Sequence, residues 1–156
     1  MLTIDGSESQ VIDHPFLRGL DPHFIHFFTD CASLRHVNSG DTIFHEGNDA
    51  NSFYLILKGK VSLETFVPGC GMVTIQTLGA GEALGWSWLF PPQKWLFSAS
   101  ATEPTELIQF DAEWLRFKSE ENHDFHCELI TRVAQILLAR LQGTRMQLID
   151  LYGIRP

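Results

Sequence analysis

The sequence predicts a mainly β domain: a double-stranded β-helix, or jelly-roll-like β roll, with flanking helices and a long C-terminal helix. Three observations support this. Between residues 34 and 110, short stretches of alternating hydrophobicity are separated by turn-forming residues about every eight to twelve positions. The Asp21-Pro22 pair predicts a helix start ahead of this region. From His123 to Leu151, apolar residues recur at helical spacing.

The length and composition fit one folded domain. The chain has 156 residues and a hydrophobic fraction of 44%, which is enough for one core. We expect a flexible leader at residues 1–12, the β roll with its flanking helices at 13–118, and the long helix of the same domain at 119–152. No apolar run is long enough to cross a membrane, and the N-terminus lacks the basic segment of a signal peptide.

The charge and the cysteine content indicate which partners and which cellular compartment to expect. The net charge is −8, from 19 acidic and 11 basic residues, and no Lys/Arg cluster occurs. Proteins that bind nucleic acid directly usually carry basic patches, so we expect neither nucleic acid nor a membrane as partner. The cysteines are scattered without a CxxC pair. The chain is therefore expected to be a reduced, cytoplasmic protein.

The local patterns predict the individual elements. A first helix is expected at residues 22–32, with Phe24, Phe27 and Phe28 on one face. A short helix is expected at 112–118, followed by a break at 119–122. The expected strands lie at residues 35–37, 42–44, 53–57, 61–67, 72–78 and 106–110.

Residues 78–101, LGAGEALGWSWLFPPQKWLFSASA, form what we call the glycine–tryptophan segment. Gly85, followed by Trp86, Ser87 and Trp88, predicts a tight turn that opens a short helix, whose first N–H groups could hold an anion. A diproline then stops that helix. Two interpretations stay open: the rings form a pocket wall, or they belong to an ordinary aromatic core.

The long helix carries a heptad seam, that is, apolar residues in strict four-three spacing. This pattern is typical of two helices that pair along their length. The alternative is a single broad face buried against the chain's own domain. We expect a homodimer. The seam consists of Ile130, Ala134, Leu137, Leu141, Thr144, Leu148 and Leu151.

Three motifs in order resemble the cyclic nucleotide-binding domain. VNSGDTIFHEG at residues 37–47 is similar to the family's V-x-x-G-x-x-I-x-x-E-G, and FYLILKGKV at 53–61 resembles its next strand and glycine turn. LGAGEALG at 78–85 resembles the L-G-x-G-x-x-F-G entry to the family's phosphate-binding cassette. The long helix resembles the dimerisation helix of catabolite-activator and Fnr-type regulators. The likeness spans about residues 14–151.

The resemblance implies a ligand held between cassette and β roll, with its binding state transmitted through the terminal helix. In the regulators that helix leads into a helix-turn-helix domain. We expect no DNA-reading domain here, and if the protein controls transcription, we expect its output to pass through a protein partner.

The cassette departs from the family pattern at two positions. The family's ribose-binding Glu corresponds to Trp86, and its phosphate-clamping Arg corresponds to Trp95, preceded by Lys94. Each hydrogen bond to a charged group contributes about 1.5–3 kcal/mol, so the usual grip on a cyclic nucleotide is weakened. The residues still expected to contact a ligand are Leu84, Gly85, Trp86, Ser87, Trp88, Lys94, Trp95 and Leu96.

These observations predict a non-catalytic ligand-sensing regulatory module. No cofactor is assigned, and the candidate ligands are a cyclic nucleotide or another small aromatic molecule. The alternative is a dimeric interaction scaffold whose tryptophans fill the pocket. An enzyme of the metal-dependent cupin kind needs a histidine cluster, whereas His45 stands alone on its strand and His123 has only Cys127 four residues on. We expect no metal and no catalytic residues.

Overall fold

The structure is a computed structural model that describes residues 11–153. The chain divides into two compact units, one ending at Lys118 and the other beginning at Ser119. Most of the predicted leader lies outside the described residues. Its last positions are helical, and Val11 is fully buried. No helix of the described residues is long and apolar enough to cross a membrane.

The structure contains the predicted strands in the predicted order, together with two strands that were not predicted, at residues 83–84 and 98–101. After the helical residues 11–13, the structure contains α1 (Pro22–Thr29), β1 (Ala32–Val37), β2 (Thr42–Phe44), β3 (Ser52–Lys58), β4 (Lys60–Val67), β5 (Gly71–Gly79), β6 (Ala83–Leu84), β7 (Ser98–Ala101), β8 (Thr105–Asp111), α2 (Ala112–Glu121) and α3 (His123–Leu151).

The strands form two four-stranded antiparallel sheets. Their orders are β1-β8-β3-β6 and β2-β7-β4-β5. Strands distant in sequence pair in both sheets, as in the register Ala32↔Phe110 of β1 and β8. This arrangement confirms the predicted mainly β, jelly-roll-like fold with flanking helices and a long C-terminal helix.

Two helix boundaries differ from the prediction. Asp21 caps α1 by accepting a 2.8 Å hydrogen bond from the His23 N–H, and Pro22 occupies the first turn. The helix ends at Thr29 rather than residue 32, because Ala32 already pairs with β8. Likewise, α2 runs to Glu121 instead of stopping at residue 118. The first helix thus stops short of a residue that pairs in a strand, and the second stops just before the cap residue of the next helix, Asn122.

Strand β3 divides the aromatic residues between its two faces. Phe53 packs against Phe110 at 5.8 Å and Trp88 at 5.3 Å between ring centroids. The neighbouring Tyr54 instead faces Phe44 at 6.1 Å and Trp95 at 6.5 Å. Successive side chains of a strand point to opposite faces. This alternation places two tryptophans of one segment on opposite sides of β3.

His14 is a buried polar residue that connects the N-terminal segment to β3. Its side chain is 3% exposed. Nε2 lies 3.2 Å from the Ile56 carbonyl oxygen, and Nδ1 accepts a 3.1 Å hydrogen bond from the Phe16 N–H. Burial lowers the pKa of His14 from its ordinary value. These contacts therefore favour the neutral imidazole with its proton on Nε2.

Candidate functional site

After Gly85, the glycine–tryptophan segment forms a turn and not the predicted short helix. Gly85 has φ +84°, a conformation that glycine adopts without strain. The carbonyl oxygen of Gly85 accepts a 3.0 Å hydrogen bond from the Trp88 indole Nε1–H, and the Leu89 N–H donates to Trp86 at 3.0 Å. After Gly85 the backbone therefore forms only a single turn. The prediction of a short helix here was wrong.

Trp88 lies in the core. It is fully buried and packs against Phe53. Arg116 donates a 2.7 Å hydrogen bond from Nη1 to the Trp88 carbonyl oxygen. These contacts anchor the turn to α2.

Trp95 lies directly against Gly85. A Cβ atom placed on Gly85 would be 2.5 Å from Cζ3 and 2.7 Å from Cη2 of the Trp95 indole. The Trp95 indole also stacks on Phe44, with centroids 3.7 Å apart and planes inclined by 11°. Trp95 is only 4% exposed. The indole thus fills the space between the turn and β2, and glycine is the residue that fits beneath it.

The backbone of Trp95 fixes this position. Its N–H donates to the Asn48 carbonyl at 2.9 Å, and its carbonyl accepts from the Gly47 N–H at 2.8 Å. The side chain of Lys94 pairs with the carboxylate of Asp49, and both side chains are about half exposed. Lys94 therefore directs its charge to the loop at residues 45–51.

The other predicted contact residues differ in exposure. Leu84 and Ser87 are buried, Trp86 is half-buried, and Leu96 is 68% exposed. Glu82 accepts a 2.7 Å hydrogen bond from the Gly79 N–H, so its carboxylate holds the entry turn. The structure brings Gly85 together with Trp95 and leaves Leu96 on the surface.

A hollow of about 250 Å³ opens beside the stacked rings. Sequence reasoning missed it. Phe44 lies inside the quoted VNSGDTIFHEG motif and Tyr54 inside FYLILKGKV, so both were visible as aromatic residues on strands. What the sequence did not show is that they converge on Trp95. The hollow is lined by Ile43, Phe44, His45, Asn48, Asp49, Asn51, Ser52, Tyr54 and Trp95.

Arg35 holds the Tyr54 wall of the hollow in place. Its Nη1 donates a 3.4 Å hydrogen bond to the Tyr54 hydroxyl, and its guanidinium carbon lies 5.9 Å from the ring centroid. Tyr54 is 4% exposed. A guanidinium over an aromatic ring is attracted by the ring's quadrupole, so the two contacts together restrict the ring.

The His, Cys, Asp and Glu side chains of the described residues do not gather into a metal site. Among residues 11–153, no group of three or more His, Cys, Asp or Glu side chains is placed to hold a metal ion. Cys127 Sγ lies 3.6 Å from His123 Nε2, one helical turn away. Burial raises the pKa of the Cys31 thiol to about 12, which suppresses its reactive thiolate form.

The predicted seam of α3 is largely exposed within the single chain. Asn122 caps the helix by accepting a 3.0 Å hydrogen bond from the Phe125 N–H. Ile130 is half-buried, whereas Ala134 and Thr144 are exposed. The large seam side chains have high exposed fractions: Leu137 36%, Leu141 66%, Leu148 52% and Leu151 81%.

The comparisons with known proteins agree with this architecture. The family model of the cyclic nucleotide-binding domain matches residues 34–121, more than half of the chain. A solved structure described as a cyclic nucleotide-binding protein from Geobacter metallireducens is 27% identical, with a TM-score of 0.76, over 89% of this chain and 99% of that one. The catabolite activator protein of Thermus thermophilus is 28% identical, with a TM-score of 0.67, over 89% of this chain and 63% of that one.

One group of curated relatives consists of much longer proteins. Lysophospholipase nte1 of Neurospora crassa is 26% identical over 107 residues, which cover 69% of this chain but only 7% of that protein. The chain thus spans a small part of the length of this relative.

Proposed function

Because this chain belongs to the cyclic nucleotide-binding domain family, and its fold is that of Crp/Fnr-like regulators, we propose that it is a non-catalytic regulatory module. In our proposal the module responds to a small molecule without the family's Glu/Arg grip on a cyclic nucleotide. It pairs with a second copy through α3. With a net charge of −8, it passes its state to a protein partner and not directly to nucleic acid.

The observation that carries this proposal is the indole of Trp95 against Gly85. A cyclic phosphate brings a negative charge that must be paired or solvated. At this position the chain offers an indole stacked on Phe44, and the nearby Lys94 already pairs with Asp49. An anion here would lose water without gaining a guanidinium fork. The site therefore favours an uncharged ligand over a cyclic nucleotide.

Dimerisation is supported by the exposed seam. A fully buried Leu side chain contributes about 1.5–3 kcal/mol relative to an exposed one. Leu141 and Leu148 are more than half exposed in the single chain. Their four-three spacing matches the pattern that a second identical helix covers. A second copy is therefore the partner that we propose for this helix.

The experiment that tests the proposal measures ligand response and assembly together. We expect sedimentation of the purified protein to show a dimer at micromolar concentration. A panel of uncharged metabolites should include a compound that changes tryptophan fluorescence saturably. A monomer at micromolar concentration would contradict the proposed dimer. If no compound of the panel changed the fluorescence, the proposed ligand sensing would be wrong.

A second function is favoured by the same burial of Trp95. With the indole filling the space over Gly85, the module can act as a dimeric interaction scaffold that needs no ligand. The two functions differ in one outcome. A scaffold keeps its fluorescence and thermal stability unchanged throughout the panel, whereas a sensor is stabilised by its ligand, increasingly so as the ligand concentration rises above the dissociation constant.

A further inference from the structure

We propose that the hollow beside Trp95 is a binding site for a small, uncharged, planar ring that carries an amide-like edge. This inference deepens the proposed sensing function by naming the site and ligand class. The site lies between β2, β3 and the loop at residues 45–51, and Trp95 separates it from Gly85.

The floor of the hollow is apolar and aromatic. Ile43, Phe44, Tyr54 and Trp95 line it, and none of the four is more than 7% exposed. Phe44 and Trp95 are fixed by mutual stacking, and Tyr54 is held by Arg35. Aromatic rings prefer offset-stacked or edge-to-face contact with such walls. A preformed wall also reduces the ordering cost of binding.

The rim is polar and uncharged on balance. Asn48 and Asn51 line the hollow, and both residues are exposed. Within residues 11–153 neither amide hydrogen-bonds to another side chain or to the backbone. Each amide offers both a donor and an acceptor. An occupant with a matching donor and acceptor on one edge is therefore recognised best.

Asp49, the acidic residue of the rim, does not favour a charged ligand. Asp49 is paired with Lys94, so its carboxylate is offset by an adjacent ammonium. A charged ligand would lose solvation without gaining an unpaired counter-charge. The hollow therefore disfavours phosphorylated nucleotides and favours a neutral ring.

The size limits the occupant to one or two rings. At about 250 Å³, the hollow is slightly smaller than the roughly 300–1,000 Å³ of typical small-molecule sites. Ligands of this size bind weakly because few atoms share the cost of association, so we expect dissociation constants on the order of 0.1–1 mM.

The test uses benzamide and toluene as probes. Their binding is monitored by NMR, through the amide and indole N–H resonances of the full chain. Benzamide has the ring and the amide edge, whereas toluene has only the ring. We expect benzamide to shift the resonances of Asn51, Ser52, Tyr54 and the Trp95 indole saturably. Toluene should shift the same residues with at least about fivefold weaker affinity, as loss of hydrogen bonds to both amides predicts.

A double variant localises the recognition. Asn48→Leu with Asn51→Leu removes both amides at nearly constant size. We expect benzamide to bind at least about fivefold more weakly to it, with toluene binding unchanged or tighter. The control is Asn38→Leu, which changes an exposed asparagine that does not line this hollow and should leave both affinities unchanged.

Two results would overturn the inference: no saturable shift around the hollow with benzamide up to about 10 mM, well above the expected dissociation constant, or equal benzamide affinity in the double variant. Either result leaves the proposed function intact if another compound of the panel still elicits a response. Conversely, benzamide could bind at the hollow while no metabolite of the panel changes the tryptophan fluorescence. That result would support the proposed binding site and contradict the proposed sensing function.

Discussion

Two apolar regions of the molecule look alike in sequence and differ in the structure. The glycine–tryptophan segment places Trp88 and Trp95 in buried positions, at 0% and 4% exposure. The seam of α3 leaves Leu141 and Leu151 at 66% and 81%. The first region finds its partners inside its own unit, whereas the second presents apolar surface that a single chain does not cover. Substitutions should therefore affect folding stability in the first region and association in the second.

The largest effect is expected at Trp95. Trp95→Ala removes the indole between Gly85 and Phe44 and leaves a cavity, so the free energy of unfolding should fall by about 3–5 kcal/mol. The control, Leu96→Ala, removes a side chain that is 68% exposed and should cost less than about 0.5 kcal/mol. Urea unfolding measures both. Similar losses for the two variants would show that Trp95 does not fill this space.

The next effect concerns the seam. Leu141→Asp places a charge in both copies of a helix pair, and losing two buried leucines should raise the dimer dissociation constant about a hundredfold or more. Sedimentation equilibrium measures this constant. Met146→Asp is the matched control, because Met146 is also exposed, at 58%, but lies outside the seam. If Met146→Asp dissociates the dimer as strongly as Leu141→Asp, the pairing surface is not the heptad seam.

A smaller effect tests the contact beneath the indole. Gly85→Ala introduces a Cβ that would lie 2.5 Å from Trp95, in addition to the strain of alanine at φ +84°. Gly40→Ala has the same strain at φ +90° with nothing within 4 Å of its Cβ. The difference between the two variants isolates the clash, about 1–3 kcal/mol in unfolding free energy. No difference between them in urea unfolding would mean that the indole moves aside freely.

The smallest effect is a pH dependence of stability. Because burial lowers the pKa of His14 in the folded state, the unfolded chain binds more protons just below its ordinary pKa of about 6.5. His14 thus contributes stability that is fully present above about pH 6.5. This contribution is lost as the pH falls towards the folded pKa, at up to about 1.4 kcal/mol per pH unit. His14→Gln should have a shallower slope in urea unfolding between about pH 5 and 7, and equal slopes would contradict this account.

The fold was predictable because its signals are local and repeated. Turns set the strand boundaries, and the Asp21 cap and the period from His123 onward set two helix starts. The end of α1 was not predictable from local sequence. Ala32 belongs to a strand because it pairs with Phe110, which is far along the chain.

The candidate site was only partly predictable. The sequence singled out Gly85 and Trp95, but their contact joins residues ten positions apart across a diproline turn. Phe44, on which Trp95 stacks, lies on β2, far from Trp95 in the sequence. The segment also forms a turn after Gly85 instead of the predicted short helix, and the Trp88 indole donates to the Gly85 carbonyl oxygen there. The stacking of Trp95 on Phe44 joins residues far apart in the chain, which a local sequence pattern does not show.

The most direct test of the central claim, that an indole has replaced the charged grip on a nucleotide, is calorimetric titration with cyclic AMP. We expect no saturable heat from the unmodified protein up to about 100 μM nucleotide. We expect at least about hundredfold tighter binding to the variant Trp86→Glu with Trp95→Arg, from two hydrogen bonds to charged groups. Saturable binding of cyclic AMP by the unmodified protein at micromolar affinity would contradict the account.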